Sequence, residues 1–275
     1  MVNQDVLQGK LQKLKDILAS YGSVAVAFSG GVDSTLLLSV AHEVCGEGAF
    51  AITSVGCVNP ARESDEALDF CQERGIRQMV ITHDQLSIPG FAQNAPDRCY
   101  VCKKALFEEF LPLAKERGAV LVEGRNLDDD GDFRPGTRAI QELGVASPLY
   151  AAGLTKADIR QLSAQRGLPA WDKPSYACMA SRFPYGTTIT AEGLAQVDKG
   201  EQYLLDLGFK QIRLRLHGDL ARIEVAPEEM DGLYQASKAP GFTEHFRSLG
   251  FKFVTLDLDG YRTGSMNATM EAPRE

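Results

Sequence analysis

The sequence predicts an α/β protein in which a parallel-sheet domain is followed by a smaller α+β domain. Three observations carry this. Short apolar runs alternate with helical stretches of ten to fifteen residues through the first two-thirds. An adjacent glycine pair joins the first run to its helix. Beyond about residue 186 the alternation gives way to one long helical stripe and a hairpin pattern. Strands separated by helices imply right-handed crossovers and parallel pairing.

The elements follow in order. Leu7, Leu11, Leu14, Ile17 and Leu18 mark an N-terminal helix. "SVAVAFS" reads as the first strand, "DSTLLLSVAHEVCG" as a helix stopped by Gly46, and "AFAITSVG" as the second strand. "RESDEALDFCQERG" is a helix, "RQMVIT" the third strand, "KALFEEFLPLAKERG" a helix and "AVLVEG" the fourth strand. Thr155 is placed to cap a helix through "LTKADIRQLSAQRG". A long helix follows Thr190, then two strands joined at Gly218–Asp219, a helical stretch broken near Pro240–Gly241, and a last strand in "FKFVTLDL". The expected division is 1–185, 186–265 and a loose tail, 266–275.

The chain has 275 residues, is 44% hydrophobic and carries a net charge of −8. It lacks an apolar run of membrane-spanning length, and its first twenty residues have spaced rather than continuous apolar positions. The expectation is a cytoplasmic protein with no membrane partner. Acidity disfavours a wide grip on nucleic acid, because phosphate neutralisation dominates such binding. Six cysteines in a chain this long do not suggest a secreted disulfide scaffold.

"AFSGGVDSTLLL" lies between the first strand and its helix. Two glycines let backbone N–H groups close on an anion, and the helix N-terminus adds its dipole. Lysine does not follow the glycines, so this is not the GxxxxGK[ST] loop. The string Ser29-Gly30-Gly31-Val32-Asp33-Ser34 resembles the PP-loop of the N-type ATP pyrophosphatases, and "EGRNLDD" their G-x-N-x-D-D element. The resemblance implies a Rossmann-like sheet and an enzyme that cleaves ATP between its α- and β-phosphates. ATP would lie on Ala27, Ser29, Gly30, Gly31, Asp33, Ser34, Thr53 and Gly124, with Mg²⁺ on the phosphates. Asp33 could orient the loop or hold that ion.

"DKPSYACMASRFPYG", with the loop and "RCYVCK", resembles the LarE family over nearly the whole chain. The family implies an ATP-dependent sulfur transferase of nickel-pincer nucleotide biosynthesis. Its substrate would be a pyridinium dicarboxylate mononucleotide, whose carboxylates are adenylated and become thiocarboxylates. The sulfur-bearing cysteine falls on Cys178, with Arg182 beside it as the second catalytic residue. Lys173 and Arg182 could lower the thiol pKa. Two chemical styles stay open. A 4Fe–4S cluster on Cys99, Cys102 and Cys178 could carry the sulfur, or Cys178 could surrender its own. Zinc lacks a fourth ligand here, and a thioredoxin-like pair fits the surroundings poorly. Cys45, Cys57 and Cys71 read as structural.

In the second domain Glu201 falls inside the stripe of Leu194, Val197, Leu204 and Leu205, where an acid needs a partner or a metal. Arg213 and Arg215 share one strand face and could clamp a phosphate, or pair across strands with Arg222 or Glu224. The family resemblance favours substrate phosphate on the arginines and a divalent cation on Glu201, Glu224 and Asp231. It also implies a homo-oligomer, with a hexamer as the expected assembly. The competing readings are a PP-loop tRNA thiolase, a nucleotide-binding or sulfur-carrier protein without turnover, and an amide-forming synthetase.

Overall fold

The computed structural model describes residues 4–131, 135–173 and 177–269. The chain forms two compact units: Met1–Gly56, Ala61–His83 and Cys99–Tyr176 make the first, and Cys57–Pro60, Asp84–Arg98 and Ala177–Glu275 the second.

The first unit is built on a four-stranded sheet: β1 (Val24–Ala27), β2 (Ala49–Val55), β3 (Gln78–Thr82) and β4 (Val120–Val122), in the order β3-β2-β1-β4. Every pairing is parallel, with Val24 level with both Ala49 and Val120. The class expected from the sequence is the one observed. Alternation along β1 divides the core. Val24 and Val26 join the cluster that holds α1 (Gln4–Tyr21), α2 (Val32–Cys45), α6 (Pro148–Ala151) and α7 (Lys156–Gln165). Ala25, Phe50 and Ile52 join Phe107, Phe110 and Ala114 of α4 (Arg98–Glu116) and Ile140 of α5 (Gly136–Glu142). The helix α3 (Ala61–Glu73) contributes Ala67, Phe70 and Cys71 to the first cluster. Thr155 caps α7 in a full capping box with Asp158.

One helix starts earlier than its pattern. The periodicity predicts a start at Lys104, yet α4 begins at Arg98 and carries Cys99 and Cys102 in its first turns. The cause is α5, for which the sequence has no clear signal. Gly136 sits against the Cys99 carbonyl, where an added Cβ would approach to 3.3 Å. Arg138 covers the Tyr100 ring at 3.6 Å, and Tyr100 donates to Glu142 at 2.7 Å.

The second unit carries a three-stranded sheet, order β5-β6-β7: β5 (Ile212–His217) and β6 (Leu220–Val225) antiparallel, β7 (Phe253–Leu256) parallel to β6. α8 (Ala191–Asp206), α9 (Met230–Ala236) and α10 (Phe242–Ser248) complete it. Gly200 lets α8 close on β5, since a Cβ there would lie 2.5 Å from a Leu214 methyl. Residues 84–98 belong here because Asn94 donates to the Pro184 carbonyl at 2.8 Å and accepts from the Gly186 N–H at 3.0 Å. The chain after Gly264 continues as a 3-10 turn, Ser265–Thr269, with Met266 buried; residues 270–275 of the expected tail lie outside the described residues. Among the described residues, no helix is long and apolar enough to cross a membrane.

Candidate functional site

In the strand order β3-β2-β1-β4, the chain leaves β1 toward β2 on one side and returns to β4 on the other. The loops after β1 and β4 therefore meet at the switch point, where open parallel sheets bind ligands. The loop after β1 is Phe28–Gly31. Gly30 has φ +74°, and a Cβ there would meet Ala67 at 3.3 Å, so only glycine fits without strain. Gly31 occupies the N-cap of α2 without a side-chain cap, which leaves the first N–H groups of that helix for an anion. Ser34 Oγ donates to the Gly31 carbonyl at 3.1 Å and lies 3.2 Å from Ser29 Oγ, closing the loop on itself. Gly124, after β4, packs so closely that a Cβ would be 3.1 Å from the Ser34 nitrogen. Ala27, Ser29, Gly30, Gly31, Ser34 and Gly124 thus converge. Thr53 is buried in β2, and its hydroxyl accepts from Gln78 at 2.8 Å.

Asp33 is held from two sides. Lys156 Nζ donates to Oδ2 at 2.5 Å and Asn126 Nδ2 to Oδ1 at 3.3 Å. The element at 123–129 builds this support. Asn126 is buried, its N–H donates to Asp129 at 3.1 Å, and Asp128 accepts from the Lys156 N–H at 2.7 Å. The sequence reading missed Lys156. A signal was there: a lysine in the first turn of a helix faces the positive end of the dipole and needs an anionic partner.

The cysteines sort by environment. Burial pushes the thiol of Cys71, a core residue, up to about 12, and the thiols of half-buried Cys45 and Cys57 upward. Cys99 is exposed and Cys102 half-buried, three residues apart on one helix and so on one face. Both belong to the first unit and exposed Cys178 to the second. Among the described residues, no three His, Cys, Asp or Glu side chains form a group that could hold a metal ion. Pro174, Ser175 and Tyr176 of the motif preceding Cys178 lie outside the described residues.

Arg182, four residues after Cys178, is fully buried in a bidentate pair with Glu201, at 2.8 and 2.9 Å. Its Nη1 also donates to the carbonyls of Ala177 and Cys178, so it braces the backbone that carries the thiol. Lys173 pairs instead with Glu66, in the first unit. Glu201 accepts a third bond from the Leu214 N–H at 3.0 Å, at the free edge of β5. Burial would push this carboxyl up; Arg182 and Arg213 outweigh burial and hold it below the usual carboxylate range.

Arg213 and Arg215 share one face, as their spacing predicts, and both are buried. Arg215 donates to Glu224 at 2.7 Å and to the Ser181 carbonyl at 3.1 Å. Arg213 donates to the Ile212 carbonyl at 2.6 Å and lies 4.9 Å from the Tyr261 ring. Burial and the charge of Arg182 bring the Arg213 pKa down to about 10. Glu201 and Glu224 are committed to arginines, and Asp231 lies exposed on α9, so the structure does not gather the three as a cation site.

No family model matches the chain. It is 39% identical, over 266 residues, to an uncharacterized protein of Synechocystis sp., covering 96% of this chain and 99% of that one. It is 30% identical, over 265 residues, to an uncharacterized protein of Methanocaldococcus jannaschii, covering 92% and 98%. It is 39% identical, over 249 residues and 90% of each chain, to the pyridinium-3,5-bisthiocarboxylic acid mononucleotide synthase of Lactiplantibacillus plantarum. Identity of that extent over nine-tenths of both proteins makes this chain a member of the LarE family.

Proposed function

We propose that this protein is an ATP-dependent sulfur transferase that converts carboxylates of a pyridinium dicarboxylate mononucleotide into thiocarboxylates. The observation that carries the reading is the glycine loop at the switch point, with the open N-terminus of α2 beneath it. The relationship to a bisthiocarboxylic acid mononucleotide synthase supports the choice of substrate. A substrate carboxylate oxygen attacks the α-phosphorus of ATP and pyrophosphate leaves. Cluster-borne sulfide attacking the acyl carbon would expel AMP and leave the thiocarboxylate; attack by the Cys178 thiolate would expel AMP to give a thioester, from which loss of the Cα proton and cleavage of the Cβ–S bond frees the thiocarboxylate and leaves dehydroalanine.

The loop N–H groups and the dipole of α2 hold developing phosphate charge. Mg²⁺ on nucleotide phosphates needs only one or two protein carboxylates. Asp33, on the loop and about a quarter exposed at 24%, fits that role while Lys156 and Asn126 orient it. The ion would neutralise charge on the leaving pyrophosphate. Arg213 and Arg215 would take the substrate phosphate, and Arg182 positions the Cys178 backbone. Thiolates suit an iron–sulfur cluster; with no ready-made ligand group among the described residues, that reading rests on the cysteine spacing.

The test is release of AMP and pyrophosphate from ATP on adding the dicarboxylate mononucleotide. Release of both in equal amounts, with thiocarboxylate product, is expected. ATP binding without release would leave a nucleotide-binding protein without turnover. Release driven by tRNA instead would make the protein a tRNA thiolase. Within this scheme, Lys156→Met frees Asp33 and should lower kcat/KM for pyrophosphate release about 100-fold, with ΔΔG‡ of about 2.7 kcal/mol. A change under threefold would remove Lys156 from the site.

A further inference from the structure

The small sheet has two unlike faces. Ile212, Leu214, Leu216, Ala221, Ile223 and Val225 are buried. Side chains alternate along a strand, so Arg213, Arg215, Arg222 and Glu224 occupy the other face. Register places Arg213 opposite Glu224 and Arg215 opposite Arg222. Like charges directly opposite each other destabilise an antiparallel pair. Glu224 spans them, 2.7 Å from Arg215 and 3.1 Å from Arg222, and Asp257 takes Arg222 at 3.2 Å. Among the described residues, Glu224 and Asp257 are the carboxylates paired with Arg215 and Arg222 on this face.

Such a face belongs in water, yet Arg213 is only 2% exposed and Arg215 4%. The chain after β7 seals it. Gly260, at φ +66°, lies so flat on the end of β6 that a Cβ would be 2.9 Å from the Val225 carbonyl, and the Tyr261 N–H donates to that carbonyl at 2.8 Å. Beyond this anchor Tyr261 puts its ring against Arg213. Ser265 Oγ accepts from Arg215 Nη2 at 3.0 Å and lies 3.2 Å from Glu224. Met266 Sδ accepts from Arg222 at 3.4 Å, and Asn267 accepts from Tyr185 at 3.5 Å. A ring, a hydroxyl and a thioether are weaker partners for guanidinium than an anionic oxygen. Arg215 Nε is buried and has no hydrogen-bond partner among the described residues.

We propose that residues 260–267 form a strap over an anion site. Tyr261 and Ser265 stand in for a phosphate monoester at Arg213 and Arg215, and binding of that monoester displaces them. The inference rests on the phosphate role given to these arginines above. Strap and ligand compete, so the apparent affinity is reduced by the fraction of molecules with the strap closed.

The test uses the full chain with inorganic phosphate and nicotinate mononucleotide as probes. Calorimetric titration should show Ser265→Ala/Tyr261→Ala binding both probes about tenfold more tightly than wild type, as loss of a charge-assisted contact to the competitor predicts. In unaltered protein, hydrogen exchange at the Tyr261 and Asn267 amides should accelerate when either probe is added. This second readout does not depend on the variant folding. Equal or weaker binding by the variant, with binding lost in Arg215→Met, would overturn the strap and leave the phosphate role standing. No binding by any form, or binding untouched by Arg215→Met, would overturn both.

Discussion

Replacing Arg182 with methionine should lower stability by about 3–5 kcal/mol, the cost of leaving a buried charge without its partner. Arg182 and Glu201 are 0% and 1% exposed, and no water can take over the bidentate pair. Urea unfolding measures the loss; a change under about 1 kcal/mol would match an exposed pair instead. The double variant Arg182→Met/Glu201→Leu should regain most of the stability, since apolar groups of similar volume often replace a buried pair at little cost. It should not regain thiocarboxylate formation, because the Arg182 bonds to the Ala177 and Cys178 carbonyls are gone. The pH dependence carries a sign. Arg182 and Arg213 hold the Glu201 carboxyl below its ordinary value despite burial. The pair's stability is therefore fully present above the ordinary carboxylate range, about pH 4.3, and is lost as pH falls through the lower folded value. In Arg182→Met, burial acts on Glu201 without its main counter-charge and raises its pKa. The difference between the two proteins should shrink as pH falls toward the carboxylate range.

The second large effect is expected at Cys178. Cys178→Ala should abolish thiocarboxylate product, and AMP release with it, while the first-step release of pyrophosphate continues, because adenylation needs the loop and not the thiol. Loss of pyrophosphate release as well would place Cys178 in the first step. The sulfur source separates on two measurements. After anaerobic reconstitution, about four irons per chain, lost in Cys99→Ala, Cys102→Ala and Cys178→Ala alike, would make the three thiolates cluster ligands. No iron, with Cys178 lighter by one H₂S after turnover, would make Cys178 the donor and leave a dehydroalanine. Cys99 and Cys102 would then be left to structure or redox protection.

Much of this was legible in the chain, for local reasons. The strands that became β1 and β2, the stop at Gly46 and the cap at Thr155 depend on neighbours a few residues away. So does the loop, whose glycine pair and following helix are contiguous in sequence. The acid in the apolar stripe of α8 announced a buried partner at Glu201 without naming it. The alternation of β5 put Arg213 and Arg215 on one face.

What only the tertiary structure decided depends on residues far apart. Arg182 is nineteen positions from Glu201, and no period links a loop arginine to one helix face. Lys156 reaches Asp33 across 123 positions because β4 returns beside β1. The first turns of α4 have no apolar pattern; they become helix because α5, itself silent in the sequence, packs Gly136 and Arg138 on them. Local propensity and periodicity record what a segment buries, and so determine elements and faces. Which charges meet is set by chain topology, because a buried charge takes whichever partner the fold brings within reach.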